Sequence, residues 1–348
     1  MIEKQPYSLM FGKEPKQIIS RVMQKETILD SFRDETGQVY IITGVRGSGK
    51  TVLMTEVSKQ LQSEGWEVAE LNPKRNMLQS LASKLGSKKN LAEIFKNAKL
   101  NLSFFNIGIE ISGAVQITDI ETALSEMLKG MKKYGKRLLI TVDEAASTEE
   151  MQIFANSFQI LARQDLPVYL LMTGLYENIR ELQNEKTLTF LYRAPKIALN
   201  PLNLSIIKDN YKRNLDVSDE EARRMAELTK GYAFAFQVLG YFTWEYKGLN
   251  DEVCNIYRHY LEEYVYDKIW SELSGNDKRV AYGIAKSETG KISDIRGFLE
   301  MDNNGFNPYR KRLIDKGIID GKNYGYVFFT LPLFDEYVVG KYEDQHGE

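Results

Sequence analysis

Gly44-Val45-Arg46-Gly47-Ser48-Gly49-Lys50-Thr51 fits G-x-x-x-x-G-K-[ST] without a mismatch. The apolar run Val39–Thr43 precedes it and the helical pattern Val52-Leu53-Met54 follows. Such a loop grips phosphate. Its glycines let the backbone wrap an anion with N–H groups pointing inward, and the next helix aims its positive end at the same charge. Lys50 reaches the β- and γ-phosphates and the Thr51 hydroxyl holds Mg²⁺. The expected ligands are therefore ATP or ADP with Mg²⁺. Asp143-Glu144 follow a continuous apolar strand, Leu138–Val142. A carboxylate pair at the carboxyl end of a buried parallel strand sits where ligands bind in such sheets. Asp143 is the expected second metal residue, and Glu144 the general base that orients the attacking water. Thr173 closes another apolar strand and is a candidate to touch the γ-phosphate or that water. Arg193, with Arg163 as second choice, could supply positive charge to the transferred phosphoryl.

These residues need a sheet to carry them. Strand patterns at residues 39–43, 66–72, 136–142, 167–173 and 196–199 alternate with helical ones over about 170 residues. That alternation predicts an α/β fold, a parallel sheet with helices on both faces. Residues 1–20 read as an irregular arm, 21–34 as a helix, and 73–100 as lysine-rich helix. Alternating residues from Leu100 to Ser112 read as a hairpin turning at Asn106-Ile107-Gly108. Thr118-Asp119-Ile120-Glu121, Ser147-Thr148-Glu149-Glu150 and Ser218-Asp219-Glu220-Glu221 read as helix starts.

From Pro201 strand patterns cease for about a hundred residues, which predicts an all-α segment. Asn250 opens a long helix to about Leu273, and Tyr257, Tyr260, Tyr264 and Trp270 are spaced as its core face. Beyond residue 274 come three short helices, the first capped by Asn276. A hairpin with its turn at Gly321–Gly325 follows. This is a winged helix-turn-helix order. The expected organisation is a core at 1–200 with the arm, a helical lid at 201–273 and a winged helix at 274–348. Arg310, Lys311 and Arg312 on the third helix and Lys322 at the wing tip are the candidate contacts to double-stranded DNA. Being consecutive, the first three span roughly 200° of helix surface, so at most two could face one groove.

The balance of 46 basic against 48 acidic residues excludes a uniformly basic nucleic-acid coat. From Ser274 to Glu348, 11 Lys/Arg stand against 12 Asp/Glu, so the terminal segment is not basic either. Cys254 is the only cysteine and His259 and His346 the only histidines, which argues against disulfides, zinc and Cys/His nucleophile chemistry. No signal-peptide pattern or membrane-length apolar run is legible, so a cytoplasmic location without membrane association is expected.

With these residues placed, the chain resembles AAA+-type P-loop ATPases. Gly44–Thr51, Leu138–Glu144 and Thr173 look like their Walker A, Walker B and sensor-1 elements, and the segment after Pro201-Leu202 like their lid. The likeness is closest to the branch shared by origin-recognition ATPases, archaeal ATPases and STAND proteins. It implies an ATP-driven switch whose winged helix binds DNA, or a signalling or scaffold ATPase whose winged helix contacts protein, with homo-oligomers or a protein partner in either case. There are departures. In Lys230-Gly231-Tyr232-Ala233-Phe234, Phe234 stands where AAA+ lids carry the sensor-2 arginine, and Ala233 where STAND proteins carry proline. The missing arginine implies slow hydrolysis. Arg21 and Glu26 only weakly echo the Arg-Glu box upstream of Walker A.

Overall fold

The structure, a computed structural model, describes residues 4–10, 15–105, 107 and 116–347. Contacts divide the chain into two units, one of residues 21–43 and 50–198, the other of 199–348 with 44–49 and the described part of 1–20.

The first unit is built on a sheet. Its elements are α1 (Val22–Arg33), β1 (Val39–Thr43), α2 (Lys50–Ser63), β2 (Glu67–Leu71), α3 (Met77–Ser87), α4 (Lys89–Asn97), α5 (Ile120–Lys133), β3 (Leu138–Val142), α6 (Glu149–Ala162), β4 (Val168–Gly174), α7 (Tyr176–Asn184), α8 (Thr189–Tyr192) and β5 (Lys196–Ala198). The strand order is β2-β3-β4-β1-β5, and every pairing is parallel. Side chains alternate across a strand, so a strand buried at every position must be covered on both faces. β1, β3 and β4 are buried throughout. Val39, Ile41, Leu138, Ile140, Leu170 and Met172 share one core with Leu81, Leu124, Phe154 and Phe158 of α3, α5 and α6. On the opposite face, Tyr40 and Tyr169 pack against Phe32 of α1.

Register explains which strand ends meet. Ile42 lies level with Thr173, and Val142 with Met172. Asp143, one residue beyond Val142, therefore emerges beside Thr173, at the carboxyl edge of the sheet.

Local signals hold at most helix starts. Within Ser147–Glu150 it is Thr148 that caps α6, its hydroxyl accepting the Met151 N–H. At the start of α5 the cap is Asp119, whose carboxylate accepts the Thr122 N–H, rather than Thr118. Of the hairpin expected at 100–112, residues 106 and 108–112 lie outside the described ones, and Ser103–Phe105 in its first flank form a turn of 3-10 helix.

The second unit is mostly helical: α9 (Leu204–Asn214), α10 (Asp219–Leu228), α11 (Ala233–Glu245), α12 (Asp251–Leu261), α13 (Asp267–Ser271), α14 (Gly275–Ala285), α15 (Ile292–Phe298), α16 (Asn303–Asp315), a hairpin of β6 (Ile319–Asp320) and β7 (Phe328–Phe329), and α17 (Phe334–His346). Ser218 and Glu221 form a reciprocal capping box on α10. The long helix expected from Asn250 is present, with a π-helical turn at Glu262–Tyr266 between α12 and α13. Tyr257 and Trp270 are buried on its core face. Tyr264 is exposed and stacks on Tyr260 at 4.3 Å, so it does not belong to that core. Tyr7 of the amino-terminal arm is buried here against Tyr211 and Phe236, its hydroxyl 2.9 Å from Asn210.

Residues 275–329 form three helices and then an antiparallel hairpin, extended by a bridge between Lys291 and Tyr326. Ser274, not Asn276, caps α14: its hydroxyl and N–H engage the Asp277 carboxylate while it accepts the Asp277 N–H. α17 follows the hairpin and was not legible as a helix. Among the described residues no helix is long and apolar enough to cross a membrane.

Candidate functional site

Four of the expected residues converge within the sheet unit. The Thr51 hydroxyl, in the first turn of α2, donates to one Asp143 carboxylate oxygen at 2.8 Å. The Thr173 hydroxyl donates to the other. That same oxygen accepts the Glu144 N–H at 3.0 Å, and Thr173 Oγ1 accepts it at 3.2 Å. Thr173 is fully buried, Asp143 half-buried and Glu144 exposed. Both carboxylate oxygens of Asp143 are thus held, by α2, β4 and the turn after β3.

Glu144 has φ +53, in the left-handed region that a non-glycine residue enters only at a cost of about 1–3 kcal/mol. The two bonds to its own N–H and the 2.8 Å bond from the Ala145 N–H to the Thr173 carbonyl hold the turn. The backbone therefore reverses directly after β3, and the Glu144 side chain stays in solvent at the carboxyl end of the sheet. Gly174 is as constrained: a Cβ there would lie 2.7 Å from Ile179 and 3.0 Å from the Ala145 carbonyl.

The loop residues Gly44–Gly49 make their contacts in the helical unit, while Lys50 and Thr51 open α2 in the sheet unit. Gly47 and Gly49 have φ +74 and +91, conformations that side chains oppose. Ser48 donates its N–H to the Val45 carbonyl at 3.2 Å, closing a turn. The Tyr232 hydroxyl donates to the Arg46 carbonyl at 2.6 Å, and the Phe234 N–H to the Gly47 carbonyl at 3.1 Å. The Arg46 guanidinium pairs with Glu272 at 3.4 Å. Sequence reasoning read the 230–234 stretch by what it lacks. The signal it missed was the tyrosine itself, a buried ring with a polar tip that needs a partner.

The other candidates stand apart from this arrangement. Arg193 caps the end of α8 and Arg163 the end of α6, and both are exposed. On α16, Lys311 is exposed and Arg310 half-buried. Arg312 has partners inside the module. Its Nε donates to the buried Asp277 at 2.9 Å, and its guanidinium lies 5.0 Å from the Tyr309 ring centre. That ion pair ties α16 to the capped end of α14, so Arg312 is engaged inside the module. Lys322 is exposed beside Tyr324, and Phe298, Tyr326 and Phe328 are exposed as well.

Residues 19–188 match a family described as an ATPase domain predominantly from Archaea, and residues 263–338 match a family described as a domain of unknown function. No curated protein matches the sequence. The fold is similar to that of the Walker-type ATPase of Pyrococcus abyssi, at 16% identity and TM-score 0.68 over 95% of this chain and 99% of that one. It is also similar to the ORC2 protein of Aeropyrum pernix, solved as ADPNP–ADP complexes, at 15% identity and TM-score 0.60 over 96% of both chains.

Proposed function

We propose that this chain is an ATP-binding and slowly hydrolysing switch of the archaeal-ATPase and origin-recognition-like branch of AAA+-type P-loop proteins, and that its output is its carboxy-terminal module. The observation that carries this reading is the cluster of Thr51, Asp143, Thr173 and Glu144 at the carboxyl edge of the sheet, continuous in the chain with the Gly44–Lys50 loop.

The residues suit MgATP. Gly47 and Gly49 adopt positive φ that glycine alone takes without cost, the kind of backbone in which successive loop N–H groups turn toward an anion. Loop N–H groups, the start of α2 and Lys50 hold the phosphates. Among the described residues no group of three or more His, Cys, Asp or Glu could hold a metal. Mg²⁺ bound with phosphates needs only one or two protein ligands, and Thr51 and Asp143 supply a hydroxyl and a carboxylate side by side. When bound, the ion neutralises charge on the phosphate oxygens. Thr173 fixes the Asp143 carboxylate and the Glu144 amide, which orients both residues. Glu144, exposed just beyond them, accepts the proton of the attacking water. Arg193 remains the candidate for a charge supplied to the phosphoryl group. With Phe234 in the sensor-2 place, no arginine stands at that position to support the step, and slow turnover follows. The ADPNP–ADP complexes of the Aeropyrum pernix relative support a nucleotide ligand.

The helix order and the hairpin support a winged helix directed at double-stranded DNA through Arg310, Lys311 and Lys322. A second reading is favoured by two observations: Arg312 is committed to Asp277, and Phe298, Tyr324, Tyr326 and Phe328 are exposed in the same segment. Exposed aromatics with few free cations fit a protein-contact module of a signalling or scaffold ATPase. The test is anisotropy of labelled duplex DNA with the full chain, in MgATP and in MgADP, across a salt series. Binding that weakens with salt and differs between nucleotides supports the DNA switch. Absence of salt-dependent binding in both states leaves the protein-contact reading.

A further inference from the structure

A trans peptide is planar, with its C=O and N–H pointing in opposite directions. Fixing one group therefore fixes the other. The Tyr232 hydroxyl holds the Arg46 carbonyl at 2.6 Å and so sets the plane of the Arg46–Gly47 peptide, turning the Gly47 N–H away from Tyr232. The Phe234 N–H does the same to the next peptide through the Gly47 carbonyl. Two successive peptides of the phosphate loop thus have their carbonyls pinned by one short segment at the start of α11.

That segment is itself rigidly placed. Gly231 has φ +75, and a Cβ there would lie 2.5 Å from the Leu202 carbonyl. The Gly231 carbonyl accepts the Leu202 N–H at 2.7 Å, and the Tyr232 N–H donates to Thr229 at 2.8 Å. Tyr232 is 5% exposed and is the N-cap residue of α11. The fit against the loop leaves no room: a Cβ on Gly47 would lie 2.2 Å from the Tyr232 hydroxyl and 3.0 Å from Phe234 Cβ. Burial pushes the phenol far above its ordinary pKa, so the hydroxyl remains a donor across the working pH range.

We propose that Tyr232 is a positioning residue for the phosphate loop: by holding the Arg46 carbonyl it orients the Gly47 N–H to donate to a bound nucleotide phosphate. This rests on the nucleotide reading above and adds the residue that aligns one of the loop donors. It also gives the 230–234 stretch a role that does not need the absent sensor-2 arginine. The contact is made to the loop backbone, so it serves ADP as well as ATP. Because it acts on the loop before and during hydrolysis alike, its loss is read first in nucleotide affinity.

The test uses the full chain as wild type, Tyr232→Phe and Lys50→Ala, titrated with fluorescent MgADP and MgATP. Tyr232→Phe keeps the buried ring and removes only the hydroxyl, so one net hydrogen bond is at stake and Kd should rise about fivefold. A second readout separates positioning from general loosening. The sequence contains two Arg-Gly pairs, Arg46-Gly47 and Arg296-Gly297. Carbonyl-¹³C arginine with ¹⁵N glycine therefore yields two selected amide signals, the second an internal control. In wild type the Gly47 amide should move downfield with MgADP, as a donor to phosphate does. In Tyr232→Phe that movement should shrink, even at saturation, while the Gly297 amide stays as in wild type. If Tyr232→Phe matches wild type in Kd and in the Gly47 shift while Lys50→Ala loses binding, Tyr232 does not position the loop. If Lys50→Ala binds as wild type does, the nucleotide reading fails at its source instead.

Discussion

Replacing Thr173 by valine removes one hydroxyl from a fully buried position while keeping the shape of the side chain. That hydroxyl donates to Asp143 and accepts the Glu144 N–H, the second of these at 3.2 Å. A hydrogen bond to a charged group contributes about 1.5–3 kcal/mol. The N–H is shared with Asp143 at 3.0 Å, so its share of the loss is small. Thr173→Val should therefore cost about 2 kcal/mol of stability, read as a lower urea midpoint at unchanged slope. The larger consequence is kinetic. Without the hydroxyl, Asp143 loses the support of one oxygen, and the left-handed Glu144 turn loses one of its holds. A small displacement of a general base costs on the order of 100-fold in rate. MgATP affinity should fall less than kcat, because Lys50 and the loop are untouched. Urea unfolding, equilibrium titration and steady-state phosphate release measure the three quantities. Wild-type kcat in Thr173→Val would refute the assignment of Thr173 as the group that orients Asp143 and Glu144.

Other outcomes follow from the same geometry. Glu144→Gln should retain MgATP binding and lose turnover, because the amide cannot accept a proton; turnover at the wild-type rate removes Glu144 from that role. Asp143→Asn should flatten the Mg²⁺ dependence of nucleotide affinity, which titration with and without a chelator reads directly. Arg312→Ala leaves the buried Asp277 carboxylate with only the Ser274 N–H and hydroxyl as donors. It should destabilise the terminal module by about 2 kcal/mol, below the roughly 3–5 kcal/mol of a fully buried pair because Arg312 is partly exposed. A loss of DNA affinity without a loss of stability in that variant would contradict the structural role. Asp267 is held below the ordinary carboxylate range by Lys341 and the Tyr337 hydroxyl. Its stabilisation is present above the unfolded carboxyl value of about 4 and disappears as pH falls through the depressed folded value. Asp267→Asn should therefore flatten the acid limb of a stability-against-pH curve, and an unaltered limb would exclude this linkage.

The parallel sheet was legible because buried parallel strands write continuous apolar runs, and the loop was legible because phosphate binding demands glycines and a lysine at fixed spacing. Asp143 and Glu144 could be placed by the strand before them. What could not be read was partner choice. Thr173 was expected near phosphate, and its hydroxyl is engaged by Asp143, a consequence of strand register. Arg312 was read by its charge, and Asp277, 35 positions earlier in sequence, captures it. Asn276 and Ser274 are both good cap residues, and the choice fell to Ser274 because Asp277 stands at the third helical position to complete the box. The N-cap of α17 is Leu333, with φ +56 and no side-chain cap, so no capping residue announces the helix. Tyr232 carries no motif at all, and its importance comes from a fold-level approach to Arg46 and Gly47.

The most direct test of the central claim is an equilibrium titration of the full chain with fluorescent MgATP, comparing wild type with Lys50→Ala. Saturable binding by wild type that is lost or weakened at least tenfold in Lys50→Ala, in a variant with an unchanged unfolding midpoint, is the expected result. Equal affinity in the two proteins would contradict the assignment of Gly44–Thr51 as the phosphate-binding loop, and with it the reading of this chain as a nucleotide switch.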